Sequence, residues 1–424
     1  MLNQNGLSLD QAPPLFVVFR FFFVGAIFGI IAGVLILFFQ TSIFEGSSTE
    51  AIIITHTLTL GVMLSFMLGS LFQMLPVLAG VKISAPTLKA NLVLFPFVVG
   101  TITLLLAFKF TENSWLFIIA SLLLTISLLG IVFLIIKNLF LVQNHTISSK
   151  GIIYTLLSLG FVILFALYLT SSLSGLNSGM AYLAIKKAHY SFGLFGWISL
   201  LIISISFQVI EMFYVTPSYP KFFSHFMPLA LFVVLIFSAV IGIFYPLIWK
   251  ISDVAIIILL GSYGVLTLQR FNQRKRPISD GTLWFWRIGL SSLLISLFSL
   301  FITIFIENIF LTSLSYILFT TFALSIIFAM FYKIVPFLTW FHLNSQGYIP
   351  VPMMHTIIHP KNIMKHLYLH ILTIISFILS LVFSPFIFLA GVLMVLSFGT
   401  ISYHLIKAFL IYRKTQKTGK KFTY

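Results

Sequence analysis

Twelve apolar runs, each long enough to cross the ~30 Å hydrocarbon core of a bilayer as a helix of about 20 residues, follow one another along this chain. They lie near 15-38, 51-75, 90-109, 114-136, 151-172, 189-213, 224-245, 250-269, 284-307, 315-338, 366-384 and 386-408. Of the 424 residues, 60% are hydrophobic and only 8% are charged, which is more apolar surface than a water-soluble fold can bury. The expected fold class is therefore all-α: a polytopic integral membrane protein of about twelve transmembrane helices.

No separate soluble domain is visible, so the reading is a polar N-terminal leader (1-14), a single twelve-helix transmembrane domain (15-408) and a basic tail (409-424). The leader has no basic n-region or small-residue cleavage site, which makes the first span an uncleaved anchor. The longest loop, about 339-365, carries Pro350, Pro352 and Pro360, which favour an ordered or turning connection over another span.

An even number of spans leaves both termini on one side, and charge decides which. On that side fall 20 of the 24 Lys and Arg residues, including Arg270, Arg274, Lys275, Arg276 and the tail; Lys109, Lys186, Lys187 and Lys250 fall on the other. The positive-inside rule then places both termini in the cytoplasm. The net charge of +16 is thus a topology signal, not a nucleic-acid footprint. The basic tail is also suited to anionic lipid headgroups.

With no cysteine, any metal would need His, Met or carboxylate ligands. Phosphate-binding glycine loops, dinucleotide fingerprints, paired catalytic carboxylates, His-Glu-x-x-His and Gly-x-Ser-x-Gly are all missing, which argues against ATP-driven transport by this chain alone.

One pattern recurs. The second span runs from His56 to Gln73 and Pro76, the sixth from His189 to Gln208 and Glu211, and the tenth from Tyr316 to Lys333 and Pro336. Gln73 and Gln208 are 135 residues apart, and Gln208 and Lys333 are 125 apart, about four spans each. The three helices therefore run in the same direction, as expected for three four-helix units around a pseudo-threefold axis.

On the second span His56, Met63, Met67, Ser70 and Met74 share a face, either as ordinary packing with Met as filler or as an inward polar stripe. His56 and His189 both fall toward the outer side. Each is either a hydrogen-bonded interfacial histidine or an axial ligand, since two neutral imidazoles on matching helices can hold a heme. Gly193 and Gly196, on the side of His189, admit a close neighbour, either a helix or a flat group.

At the opposite ends stand Gln73, Gln208, Glu211 and Lys333, an intramembrane polar cluster. Glu211 is expected either to pair with a cation, with Lys333 first and Arg20 or Arg287 as alternatives, or to act as a proton-relay carboxylate. His366 and His370, at i and i+4 on the eleventh span, have a usable metal-ligand spacing but no nearby acid in sequence.

Three stretches carry a resemblance. They are His56-Thr-Leu-Thr-Leu-Gly61 leading to Phe72-Gln-Met-Leu-Pro76; His189-Tyr-Ser-Phe-Gly-Leu-Phe-Gly-Trp197 leading to Phe207-Gln-Val-Ile-Glu-Met-Phe213 and Thr216-Pro-Ser-Tyr-Pro220; and Tyr332-Lys-Ile-Val-Pro-Phe-Leu-Thr-Trp-Phe-His342. Together they look like a group of bacterial twelve-span membrane proteins, and more distantly resemble the NnrS-type heme- and copper-containing membrane proteins and subunit I of the heme-copper oxidases.

The resemblance implies an inner-membrane location, a threefold subunit-I-like plan, and heme, with copper also possible, in redox, heme-handling or oxidase-related work beside a membrane or redox partner. His56 sits where that oxidase family has its helix-two ligand to the low-spin heme. Tyr316 replaces the helix-ten partner, His225 stands alone where helix seven has a copper-binding pair, and the high-spin ligand is missing, so the resemblance does not extend to an oxygen-reducing binuclear centre. A transporter or permease for a small molecule, with Gln73, Gln208, Glu211 and Lys333 along its path, and a structural partner of another complex are the readings from other classes.

Overall fold

A computed structural model describes residues 13–81 and 83–421; most of the expected leader (1–12) and the last three residues of the tail lie outside the described residues. Among the described residues there are 12 helices long and apolar enough to cross a membrane. They are α1 (Leu15–Phe44), α2 (Thr49–Pro76), α3 (Pro86–Lys109), α4 (Trp115–Phe140), α5 (Ile147–Leu173) and α6 (Tyr182–Tyr214). The others are α7 (Lys221–Ile241), α8 (Pro246–Asn272), α9 (Gly281–Thr303), α10 (Ile309–Ser345), α11 (Pro360–Ser380) and α12 (Phe386–Thr418). The chain is an all-α polytopic membrane protein.

Helix starts carry chemistry that satisfies backbone donors where lipid cannot. Ser48 caps α2 by accepting from the Ala51 N–H at 3.0 Å, and Thr146 caps α5 on Ser149 at 3.1 Å. Proline occupies the first turn of α3, α8 and α11, where its missing N–H costs nothing. Large side chains such as Phe95, Ile126, Phe133, Phe298 and Phe388 are left exposed on the spans, where they meet hydrocarbon rather than water.

Backbone contacts group the helices into two units. Unit A holds Leu71–Pro277 and Leu297–Leu311, so α3 to α8 belong to it in full. Within it α3 and α4 are tied by the Ser127 hydroxyl donating to the Val93 carbonyl at 2.7 Å, and α6 and α8 by Lys187 and Asp253 at 3.0 Å. Close approach of α5 and α6 depends on Gly151 and Gly196: a Cβ on Gly151 would lie 2.2 Å from the Ser204 hydroxyl, and one on Gly196 2.8 Å from Ser158 Cβ.

Unit B holds Pro13–Ser70, Ile278–Ser296 and the chain from Thr312 onward. Here α1 crosses α12 at Gly33 and Gly391; a Cβ on Gly33 would lie 2.8 Å from the Val395 backbone nitrogen. Phe22, Phe66 and Phe331 join α1, α2 and α10 with ring centroids 5.1 to 6.3 Å apart. The α10–α11 loop is ordered, as its prolines suggest: Tyr348–Ile349 (β1) pairs antiparallel with Lys420–Lys421 (β2), and Gln346 binds Tyr412 and Gln416. The basic tail is thus mostly a continuation of α12.

Several boundaries differ from the sequence expectation. α6 begins at Tyr182, seven residues before His189, so Lys186 and Lys187 are helical rather than loop residues. α10 runs on to Ser345, which absorbs the first part of the expected 339-365 loop. In both cases polar residues extend a helix beyond the hydrocarbon, where hydropathy gives no signal.

Two of the repeated helices share a local feature. α2 is π-helical over Thr57–Leu64 and α6 over Phe192–Ser199, eight residues in each. The segments start 135 residues apart, and Gln73 and Gln208 each lie nine residues beyond the segment's end. α10 is α-helical throughout and carries no such segment. π segments widen a helix at an energetic cost and concentrate at functional sites.

The α1–α12 crossing gives a direct test. Gly33→Leu should lower the thermal midpoint of the detergent-solubilised protein by several degrees, the effect of about 1–3 kcal/mol of overpacking. Gly130→Leu, where a Cβ would meet nothing within 4 Å, should leave it unchanged; equal midpoints for the two variants would refute this packing.

Candidate functional site

Each of the two histidines read as axial-ligand candidates, His56 and His189, sits at a helix distortion. His56 immediately precedes the π segment of α2, and His189 stands three residues before that of α6; both are half-buried. His56 Nδ1 lies 2.9 Å from the Ile52 carbonyl of its own helix, and His189 Nδ1 lies 3.1 Å from the Val162 carbonyl on α5. A carbonyl can only accept, so Nδ1 carries the proton in both rings, and in the neutral imidazole the lone pair resides on Nε2. One turn beyond His189, a Cβ on Gly193 would meet nothing within 4 Å, whereas Gly196 is filled by Ser158 and Leu235. Of the two glycines read as admitting a neighbour, Gly196 serves helix contact and Gly193 borders open space.

Gln73 is 3% exposed, with neither its Nε2 nor its Oε1 bonded to any protein group, while Gln208 is half-buried. Glu211 accepts the Tyr219 N–H at 3.1 Å, closing the turn after α6. Tyr219 in turn donates to Thr267 at 3.1 Å, and burial pushes its phenol above the ordinary value.

Lys333 binds Asp280 Oδ2 at 2.8 Å, while Asp280 Oδ1 caps α9 by accepting from the Leu283 N–H and the Thr282 hydroxyl. An acid at a helix N-cap, one residue outside the span, remains ionised at far less cost than a carboxylate within it. Asp280 was missed because it precedes a span, though an Asp just before Gly281-Thr-Leu is a capping signal in its own right.

His366 and His370, expected at an interfacial helix start, are instead 1% and 4% exposed. His366 Nε2 lies 2.7 Å from the Ser397 hydroxyl on α12, and His370 Nε2 lies 2.8 Å from the Ser325 hydroxyl on α10. Each ring therefore spends one nitrogen on a different helix. Phe285 and Phe328 pack against both imidazoles with centroids 4.8 to 5.5 Å away.

Two further residues complete the group. The ring of Tyr332, 2% exposed, lies 5.6 Å from that of His366 and 5.8 Å from that of His404, itself 2% exposed. No protein group bonds His366 Nδ1, His404 Nδ1 or Tyr332 Oη. Among the described residues no three His or acidic side chains come together as a metal chelate. Hydropathy could not find Tyr332 or Ser397, because only the folded helices bring them to α11.

No protein-family model matches the chain, and no curated protein matches it.

Asp280 yields a pH prediction. Burial is the strongest single influence on its carboxyl and opposes ionisation, but the Lys333 ammonium, the Thr282 hydroxyl and the Leu283 N–H together outweigh it and hold the pKa below 3.8. A depressed folded-state pKa means that the stabilisation is present above the unfolded value and fades as pH falls through the folded one. Asp280→Asn should lower the thermal midpoint at pH 7 by the equivalent of about 1 kcal/mol, given the partial exposure of the pair. The deficit should shrink as the pH falls to about 3; a pH-independent deficit, or none, would refute the assignment.

Proposed function

We propose that this chain binds heme, or a copper ion, near the outer face of a bacterial inner membrane, with His56 and His189 each a candidate ligand and both termini cytoplasmic. In this reading the helices follow a pseudo-threefold plan like that of heme-copper oxidase subunit I, which the NnrS-type resemblance also suggests. The supporting observation is the shared state of the two imidazoles: a backbone carbonyl holds the proton on Nδ1 in each. Backbone acceptors of this kind orient ligating histidines and raise their basicity. The open space at Gly193 fits a flat group held beside α6, and the π segments beside His56 and His189 are a helix form that concentrates at functional sites.

A bis-histidine heme needs only two protein ligands, so the lack of a three-residue chelate among the described residues bears on chelated ions alone. The group would supply one-electron chemistry. The protein's share would be to fix the imidazole tautomers and exclude water. With no counterpart to the oxidase copper pair or high-spin ligand, redox, heme-handling or oxidase-related work beside a membrane or redox partner is proposed rather than oxygen reduction.

A small-molecule transporter is the second reading, and Gln73 favours it. A buried amide with no protein partner costs about 1–3 kcal/mol per unsatisfied group, which a polar solute bound there would offset.

The test is a reduced-minus-oxidised spectrum with metal analysis on the purified protein. A Soret band with stoichiometric iron, lost in both His56→Ala and His189→Ala while the variants remain monodisperse, is expected. Absence of both iron and copper from the wild type, or a band that survives both substitutions, would reject the assignment. Substrate-dependent thermal stabilisation without a chromophore would support transport instead.

A further inference from the structure

Inside unit B, one face of α11 is polar along nearly its whole length. His366, His370, Thr373, Ser376 and Ser380 are all buried, each three or four residues from the next. At 100° per residue they fall within an arc of about 120°, and from first to last they rise about 21 Å, most of the thickness of the hydrocarbon. The face is covered by protein, since Ser397 of α12 and Ser325 of α10 reach it from different helices.

A row of small polar residues often serves only close packing, and here the three hydroxyls do donate to their own helix: Thr373 to Leu369, Ser376 to Leu372 and Ser380 to Phe377. That leaves each hydroxyl oxygen able to accept. The histidine end is not explained by packing. His366 Nδ1, His404 Nδ1 and Tyr332 Oη are polar atoms of side chains at most 2% exposed, grouped around Tyr332, with no protein partner. Buried polar groups in this state mark water or a small hydrogen-bonding guest.

The same end of α11 adjoins ionised groups. A Cβ on Gly281 would lie 2.8 Å from Ile363 of the first turn of α11, so Asp280 stands at the mouth of the seam, paired with Lys333, the residue after Tyr332. Asp280 is about one-third exposed, open enough to exchange protons with bulk water. Lys407, one turn beyond His404, acts on the His404 imidazole as a further charge at this end. α11 itself carries no charged side chain from His366 to Ser380.

We propose that this seam is a proton-conducting path, running from Asp280 past Tyr332, His404 and His366 to His370, Thr373, Ser376 and Ser380, with water bridging the steps. Neighbours three or four residues apart on a helix are ~5–6 Å apart, too far for direct hydrogen bonds and suited to one water each. Each imidazole takes a proton on one nitrogen and releases one from the other, and each hydroxyl accepts from one side and, on turning away from its own-helix carbonyl, donates to the next, so no net charge need remain on the path. The serine partners of His366 and His370 permit this exchange, because a hydroxyl accepts from an N–H or donates to a bare nitrogen equally well. Buried histidine chains inside membrane helices are suited to this task.

The full-length protein, reconstituted into phosphatidylcholine–phosphatidylglycerol vesicles with a trapped pH dye and driven by a potassium diffusion potential, tests the path without reference to heme. Vesicles with wild-type protein should change internal pH at least about tenfold faster than protein-free vesicles. Thr373→Val, which keeps shape and removes the hydroxyl, and His370→Leu should bring the rate close to the protein-free value. Thr373→Ser should retain it, as should Tyr368→Phe on the exposed face of α11. The near-isosteric threonine variants keep the test decisive if the histidine variant fails to fold. Wild-type vesicles no faster than empty ones, or Thr373→Val conducting like the wild type, would overturn the proposal.

Discussion

Hydrocarbon offers no hydrogen bonds, and that single deficit governs this molecule. Backbone groups meet it by forming helices; side chains meet it by turning back on those helices. Thr57, Thr101, Thr155 and Ser204 each donate to a carbonyl four residues earlier on their own helix. Two ion pairs form among the described residues, Lys187 with Asp253 and Lys333 with Asp280. Among the buried side-chain atoms with no hydrogen-bond partner, those of Gln73 in unit A and of the Tyr332–His366–His404 group in unit B mark places where something besides the polypeptide is expected.

The spans were legible because hydropathy reports the same deficit. All twelve appear where apolar length places them, while their ends shift wherever a helix continues in polar residues, as at Tyr182 and Ser345. The 135-residue spacing of Gln73 and Gln208 also carried real information, since the π segments of α2 and α6 keep the same register. Their π geometry was not legible: an extra residue per turn leaves no mark in an all-apolar sequence.

Partnerships across helices were the least legible. Lys333 pairs with Asp280, a residue outside the spans that hydropathy does not mark. Asp280 already has a helix N-terminus to offset its charge, and Glu211 already has the Tyr219 N–H. His366 and His370 were recognisable as a pair on one face. Their burial was not, because it depends on α10 and α12 supplying Ser325 and Ser397, 45 and 31 residues from the histidines they meet.

The two histidine systems differ in the kind of acceptor that holds them, and the difference bears on chemistry. A carbonyl fixes the tautomer of His56 and His189, so the bare nitrogen is always the same one, as a ligand to a metal or heme iron requires. A serine hydroxyl imposes no such choice on His366 and His370, whose protons can reside on either nitrogen without breaking the contact. Fixed tautomers suit binding, and exchangeable ones suit transfer. A chain that devoted its histidines to a single task would have no reason to hold them in both ways, which favours two distinct roles for two sets of imidazoles within one membrane protein.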